Sequence, residues 1–161
     1  MIADDLGEVL AGFADHLEDV ELMLEVGANT VRLAHYQQAQ EFYDLCDEAG
    51  LIVWAEIPFI SVMSKDPAAH DNSRLQMTEL VTQNINHPSI CFWGISNEIT
   101  IGGESPQLSE YLRDLNALVK SLDDTRLTTM AQVSMLPVTS DHNEITDVVS
   151  YIHYFGWYNH T

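Results

Sequence analysis

Five short apolar runs recur along the chain, each separated from the next by a longer stretch of helical or loop character. This alternation limits the fold more than any other feature. The runs are residues 29–34 (NTVRLA), 51–56 (LIVWAE), 90–96 (ICFWGIS), 127–133 (LTTMAQV) and 148–154 (VVSYIHY). All are rich in β-branched and aromatic residues and apolar on both faces, which is the pattern of buried parallel strands. Between them, Leu17, Val20 and Leu24 form one apolar helical stripe, which Gly27 ends. Phe42, Leu45, Cys46 and Ala49 form a second, ended by Gly50, since a glycine past the last turn is a common helix stop. Met77, Leu80 and Val81 mark a third. Ser105-Pro106 supplies a cap and an N1 proline ahead of Leu108, Leu112, Leu115, Val119 and Leu122. Residues 134–147 (SMLPVTSDHNEITD) read mostly as loop, with one helical turn. No linker or low-complexity segment divides the chain, so residues 1–161 read as one domain.

Repeated strand-helix units imply a parallel sheet with right-handed crossovers, either doubly wound or a (β/α)8 barrel. The glycine fingerprint of a dinucleotide fold is absent, because IGGES after Glu98 lacks the GxGxxG spacing. Polar residues recur instead at or just past the C-terminal ends of the runs: Arg32 and His35, Glu56, Asn97 and Glu98, Gln132, then His153 and Tyr154. In a barrel those ends converge on one face, where the active site is built. The expected fold is therefore α/β, a partial (β/α)8 TIM barrel.

Charge narrows the function. The 161 residues include 25 acidic and 6 basic side chains, a net charge of −19. Such a surface repels phosphate backbones and anionic lipid, which argues against a nucleic-acid or membrane-surface partner. No apolar run approaches the ~18 residues of a membrane span, and the opening MIADDLGEVL lacks the basic segment of a signal peptide. Cys46 and Cys91 sit in apolar contexts that read as buried thiols of a reducing compartment, so a cytoplasmic location is expected. His35, His87 and His153 lie near strands and raise a metal-dependent barrel hydrolase as an alternative. That chemistry usually needs a His-x-His pair on one strand and a late Asp, and neither occurs. His87 precedes its strand, which places it at the end of the barrel away from the site.

A carboxylate beside an amide at a strand end, with tryptophans nearby, suits carbohydrate chemistry. Glycoside cleavage needs one carboxylic acid to protonate the departing oxygen, and usually a second carboxylate to attack or to activate water. Glu98 is the candidate acid, and Asn97 can donate to a sugar hydroxyl beside the reacting carbon. Trp54, Trp93 and Trp157 are plates that could stack on sugar faces. Trp93, in mid-strand, reads as core, whereas Trp157, beyond the last strand, is the better candidate for ligand contact.

The segments GANTVRLAHY, FYDLCDEAGLIVWAEIPF, NHPSICFWGISNE and DVVSYIHYFGWY, in this order, resemble the catalytic barrel of family 2 glycoside hydrolases, the β-galactosidase and β-glucuronidase group. The resemblance implies a retaining mechanism with Glu98 as general acid/base and Asn97 on the sugar 2-hydroxyl. It also implies that Arg32 and His35 line the site, that Glu56 supports it, and that Tyr154 hydrogen-bonds the nucleophile. VRLAHYQQ and WAEIPF look most like β-galactosidases, with β-glucuronidase or β-mannosidase as alternatives. Several positions depart from the pattern. Gln37 replaces a proline of many relatives, and Ile152 stands where glucuronidases carry Asn. Some β-galactosidases hold magnesium through the acid/base Glu, the third-strand Glu and a His two residues on. That His position is Pro58 here, so no metal or other cofactor is expected. The family nucleophile, a Glu ending the seventh strand, has no counterpart, and the chain resembles strands two to six of eight. It therefore reads as a fragment of a β-glycosidase, non-catalytic on its own. The expected partners are a carbohydrate substrate and either the remainder of the parent chain or further copies of itself.

Overall fold

The strands and helices alternate as the pattern predicts. The structure, a computed structural model, describes residues 2–156. Helix α1 (Ile2–Glu25) leads into β1 (Thr30–Leu33), α2 (Gln40–Ala49), β2 (Ile52–Glu56), α3 (Pro67–Asn84) and β3 (Ile90–Asn97). A short 3-10 turn (Ile99–Gly102) then precedes α4 (Pro106–Leu122), β4 (Leu127–Val133), a second 3-10 turn (Asp141–Glu144) and β5 (Val148–Ile152). The five strands are parallel and lie in sequence order, with β1 and β5 at the edges. This is the strand-helix half-barrel expected of a partial TIM barrel.

Local chemistry sets the helix ends. Ser105 Oγ accepts from the Leu108 amide at 3.1 Å and Asp66 accepts from Ala68 at 3.0 Å, each with a proline at the first helical position. These caps satisfy amides that have no partner within the helix. Gly50 closes α2 at φ 70°, a left-handed conformation that costs glycine nothing.

The two faces of the sheet differ. Val53, Ala55, Trp93, Ile95 and Met130 are buried together with Leu45 and Cys46 of α2, Met77 and Leu80 of α3, and Leu112 and Leu115 of α4. Trp93 is core, as its mid-strand position predicts, and its indole N–H donates to Asp123 at 2.9 Å. Arg126 joins this cluster, donating to Asp123 and to the carbonyls of Ile85, His87 and Ile90. The turn that launches β3 is thereby fixed at the N-terminal end of the sheet. Both cysteines are free; Cys46 is buried as expected but Cys91 is only half-buried, and burial pushes the Cys46 thiol up to about 11, with the nearby Asp47 adding to the effect. No helix among the described residues is long and apolar enough to cross a membrane.

The opposite face carries Arg32, paired in register with Trp54, and Trp54 paired with Phe92. Glu56 pairs with Gly94, which is matched in turn with Thr129 of β4. Because side chains alternate along a strand, these residues share the concave side away from the helices.

Candidate active site

One extra residue in β3 aims the Asn97 side chain. Gly94 pairs with Thr129, but the next pairing is Asn97 with Ala131, three residues on in β3 against two in β4. Strict alternation would place Asn97 with Ile95 on the helix side. The bulge returns it to the concave side, a use of bulges common beside active sites. Segment 59–61 holds it there: Asn97 N–H donates to the Phe59 carbonyl at 2.9 Å, and Ser61 N–H donates to the Asn97 carbonyl at 3.0 Å. Glu98 follows at φ 46°, ψ 29°, left-handed for a residue with a side chain. Such a backbone costs on the order of 1–2 kcal/mol, and strain of this kind clusters at functional sites.

Four of the expected residues form one network. The Arg32 guanidinium grips Glu56 with two bonds, Nε to Oε2 and Nη2 to Oε1, both 2.9 Å. Its Nη2 also donates to Asn97 Oδ1 at 2.7 Å. His35, past the cis Ala34–His35 peptide, places Nδ1 2.6 Å from Glu56 Oε1. Glu56 is fully buried, while the Arg32 and His35 side chains keep 24% and 35% of their surface. The network therefore opens to the site through the arginine and the histidine. The guanidinium also lies over the Trp54 ring, 4.5 Å from its centroid, an attraction between cation and aromatic face.

Glu98 is partly exposed, and Tyr154 Oη donates to its Oε2 at 3.0 Å. The resemblance put Tyr154 against the nucleophile; here its hydroxyl meets the acid/base candidate itself, leaving Oε1 for other contacts. Two strand-end residues stay outside the network. Gln132 is buried in step with Met130, on the helix-facing side. His153 is exposed and stacks between Tyr151 and Phe155, at centroid distances of 6.2 and 5.3 Å, on the face opposite Tyr154. Trp157 lies outside the described residues. His87 precedes β3, at the far end of the sheet, beside Asp47 and Asp44.

Three features at the site escape sequence reasoning. Gly94 is required by close approach: a Cβ there would stand 2.2 Å from Trp54 Nε1 and 2.5 Å from Glu56 Cβ. A glycine inside an apolar strand is the available signal. Trp54 is the platform on which the Arg32 guanidinium rests. Glu104, six residues past Glu98, accepts from Ser140 Oγ at 2.5 Å and lies 2.8 Å from Nδ1 of the buried His142. The Ser140 hydrogen bond holds its carboxyl below the usual range; burial opposes this, and the hydrogen bond and charge of His142 add to the lowering. These bonds pin the segment after Glu98 to the β4–β5 loop, a long-range pairing that no local pattern announces.

The magnesium arrangement of some relatives does not fit. Pro58 offers no ligand atom, and Glu56 already accepts from Arg32 and His35. A cation there would have to displace both.

Five parallel strands alternating with helices, with polar residues gathered at their C-termini, define part of a (β/α)8 barrel, and that end of the strands is where such barrels build their sites. The family model described as glycosyl hydrolases family 2, TIM barrel domain, matches residues 7–161, and the chain belongs to that family. A β-glucuronidase of Bacteroides fragilis is 43% identical over 153 residues, which cover 91% of this chain and 21% of that protein. The crystal structure of an FMN-binding β-glucuronidase from F. prausnitzii L2-6 is 57% identical, with TM-score 0.88, over 91% of this chain and 23% of that one. A GH2 β-galacturonidase from Eisenbergiella tayi, bound to galacturonate, is 32% identical with TM-score 0.83, over 91% and 26%. The chain thus spans about a fifth of the curated relative and about a quarter of the two solved structures.

Proposed function

We propose that the full-length protein is a retaining β-glucuronidase in which Glu98 is the general acid/base and Asn97 binds the sugar hydroxyl beside the reacting carbon. The observation that carries this reading is the pair at the end of β3. Asn97 turns inward at a bulge with its Oδ1 held by Arg32, and Glu98 follows with one carboxyl oxygen held by Tyr154. In a retaining enzyme the acid protonates the leaving oxygen while a carboxylate about 5–5.5 Å away attacks the sugar. The same acid, now a base, then activates the water that releases the sugar. Glu56 is unsuited to the attack, since its oxygens accept from three N–H groups and it is fully buried. The resemblance assigns the attack to a Glu ending the seventh strand, which has no counterpart in these 161 residues, so in this reading the nucleophile comes from another part of the parent protein.

The sugar expectation moves from galactoside to uronide. The curated relative is named a β-glucuronidase, and the two solved structures are a β-glucuronidase and a β-galacturonidase. A galacturonide is the second reading, favoured by the galacturonate-bound structure. Ile152, where glucuronidases carry Asn, means that this position does not support the uronide reading.

The test uses the full-length protein with aryl β-glucuronide, β-galacturonide, β-galactoside and β-mannoside. The glucuronide should be turned over fastest, and a preference for galactoside would reverse the sugar assignment. In a Glu98→Gly variant, substrates with basic leaving groups should slow by about 10²–10⁴-fold. Very acidic phenols should keep their first step, and azide should restore turnover and yield a β-glycosyl azide. Equal loss for good and poor leaving groups would remove Glu98 from the acid/base role.

A further inference from the structure

Asn97 can face a sugar with either end of its amide, and the two ends have opposite polarity. Arginine has only donors, so an amide that meets Arg32 must present its oxygen to it. Oδ1 is thus committed to Nη2 at 2.7 Å, and Nδ2 donates to no protein atom among the described residues. Arg32 is itself held, because both oxygens of the fully buried Glu56 accept from its Nε and Nη2. A fork on a carboxylate fixes the guanidinium plane as well as its position, and the Trp54 ring supports that plane from one side.

We propose that Glu56 and Arg32 are positioning residues that act through Asn97, their fork setting the amide so that its nitrogen faces the sugar hydroxyl beside the reacting carbon. This rests on the glycosidase reading above. It gives Arg32 a role other than substrate contact and explains why an acid with no access to solvent stands beside the site. Hydrogen bonds to the 2-hydroxyl strengthen in the transition state, so a donor fixed in advance avoids reorganisation during the reaction. With Gln at position 56, an amide NH₂ would replace one of the two acceptor oxygens and oppose a guanidinium N–H. The fork would open and the Asn97 amide would be free to rotate.

The experiment compares kcat/KM for an aryl β-glucuronide and its 2-deoxy analogue in the full-length protein. The intrinsic reactivity of the two sugars cancels when their ratio is compared between variants. One well-placed donor is worth about 10²–10³-fold. Asn97→Ala removes that share of the ratio and sets the floor. Glu56→Gln should bring the ratio at least about tenfold towards the floor, and Arg32→Lys, which keeps the charge without the fork, should do the same. General damage to the fold lowers both substrates alike, so a ratio unchanged in Arg32→Lys overturns the proposal even if Glu56→Gln does not fold. A crystal structure of either variant decides independently of the substrate. Asn97 Oδ1 released from residue 32 supports the inference, and an unmoved amide overturns it. If the unaltered protein cleaves none of the four aryl glycosides, the function reading fails, while the crystallographic arm still judges the role of Glu56 and Arg32.

Discussion

Replacing Gly94 with alanine adds a single methyl group at the point where three parts of the site converge. The new Cβ would lie 2.2 Å from Trp54 Nε1, 3.0 Å from Trp54 Cδ1 and 2.5 Å from Glu56 Cβ. Comfortable contact between such atoms begins near 3.5 Å, so the neighbours must retreat by about 1 Å. The indole lies against the Arg32 guanidinium, and Glu56 Cβ is fixed to the β2 backbone, so neither yields by a simple rotamer change. Overpacking of this kind costs ~1–3 kcal/mol, and contact with a strand-bound Cβ puts Gly94→Ala near ~3 kcal/mol. Displacing Glu56 also shifts the Arg32 fork that holds Asn97. A misplacement of about 1 Å at a catalytic centre can cost ~10²-fold, so kcat/KM should fall by roughly that factor. The assays are aryl glucuronide kinetics and urea unfolding of the full-length variant, following the transition that includes the barrel. A midpoint and kcat/KM both close to those of the unaltered protein would refute the reasoning, because the sheet would have absorbed the methyl group without moving Trp54 or Glu56.

Further outcomes follow from the strained turn, the buried acid and the sheet edges. Glu98→Gly should be more stable than Glu98→Ala by about 1 kcal/mol, because both lose the Tyr154 contact and only alanine keeps the penalty at φ 46°; equal unfolding midpoints would show that this turn is unstrained. Burial opposes ionisation of Asp123, but hydrogen bonds from Thr125, Arg126 and Trp93 outweigh it and hold its carboxyl far below the usual range. Its stabilising share, on the order of 2 kcal/mol, is complete above the unfolded value of ~3.9 and is lost as pH falls from there towards the depressed folded value. Unfolding midpoints of Asp123→Asn should therefore fall less steeply with acid than those of the unaltered protein, and parallel profiles would sink the assignment. Finally, among the described residues β1 and β5 are the edge strands of the sheet, and open edges pair with other chains; sedimentation of the isolated 161-residue chain should show self-association, and a clean monomer over a wide concentration range would contradict this.

The elements were legible because their signals are local. Apolar runs, terminal glycines and Ser105-Pro106 place five strands and four helices, the strand boundaries shifted by at most two residues, while α1 and α3 begin well ahead of the apolar stripes that mark them. The strand-end rule likewise gathered Arg32, His35, Glu56, Asn97, Glu98 and Tyr154, but it could not say which side of each strand a residue takes. Gln132 and His153 satisfy the rule as well as Glu56 does, yet one packs on the helix side and the other is exposed and stacks between Tyr151 and Phe155. Asn97 shows why the deciding information lies elsewhere. Counting by twos from Gly94 assigns Asn97 to the wrong face, and the correction depends on where Ala131 of β4 and residues 59–61 pair with it. Those partners are set by the stagger between strands more than thirty positions apart in sequence. Asn97 is thus turned by register and hydrogen-bonded by an arginine that Glu56 holds, both of which are properties of the assembled sheet. A substitution that alters the stagger of β3 against β4 should therefore damage the site as surely as one that removes Asn97, even when it touches no polar atom.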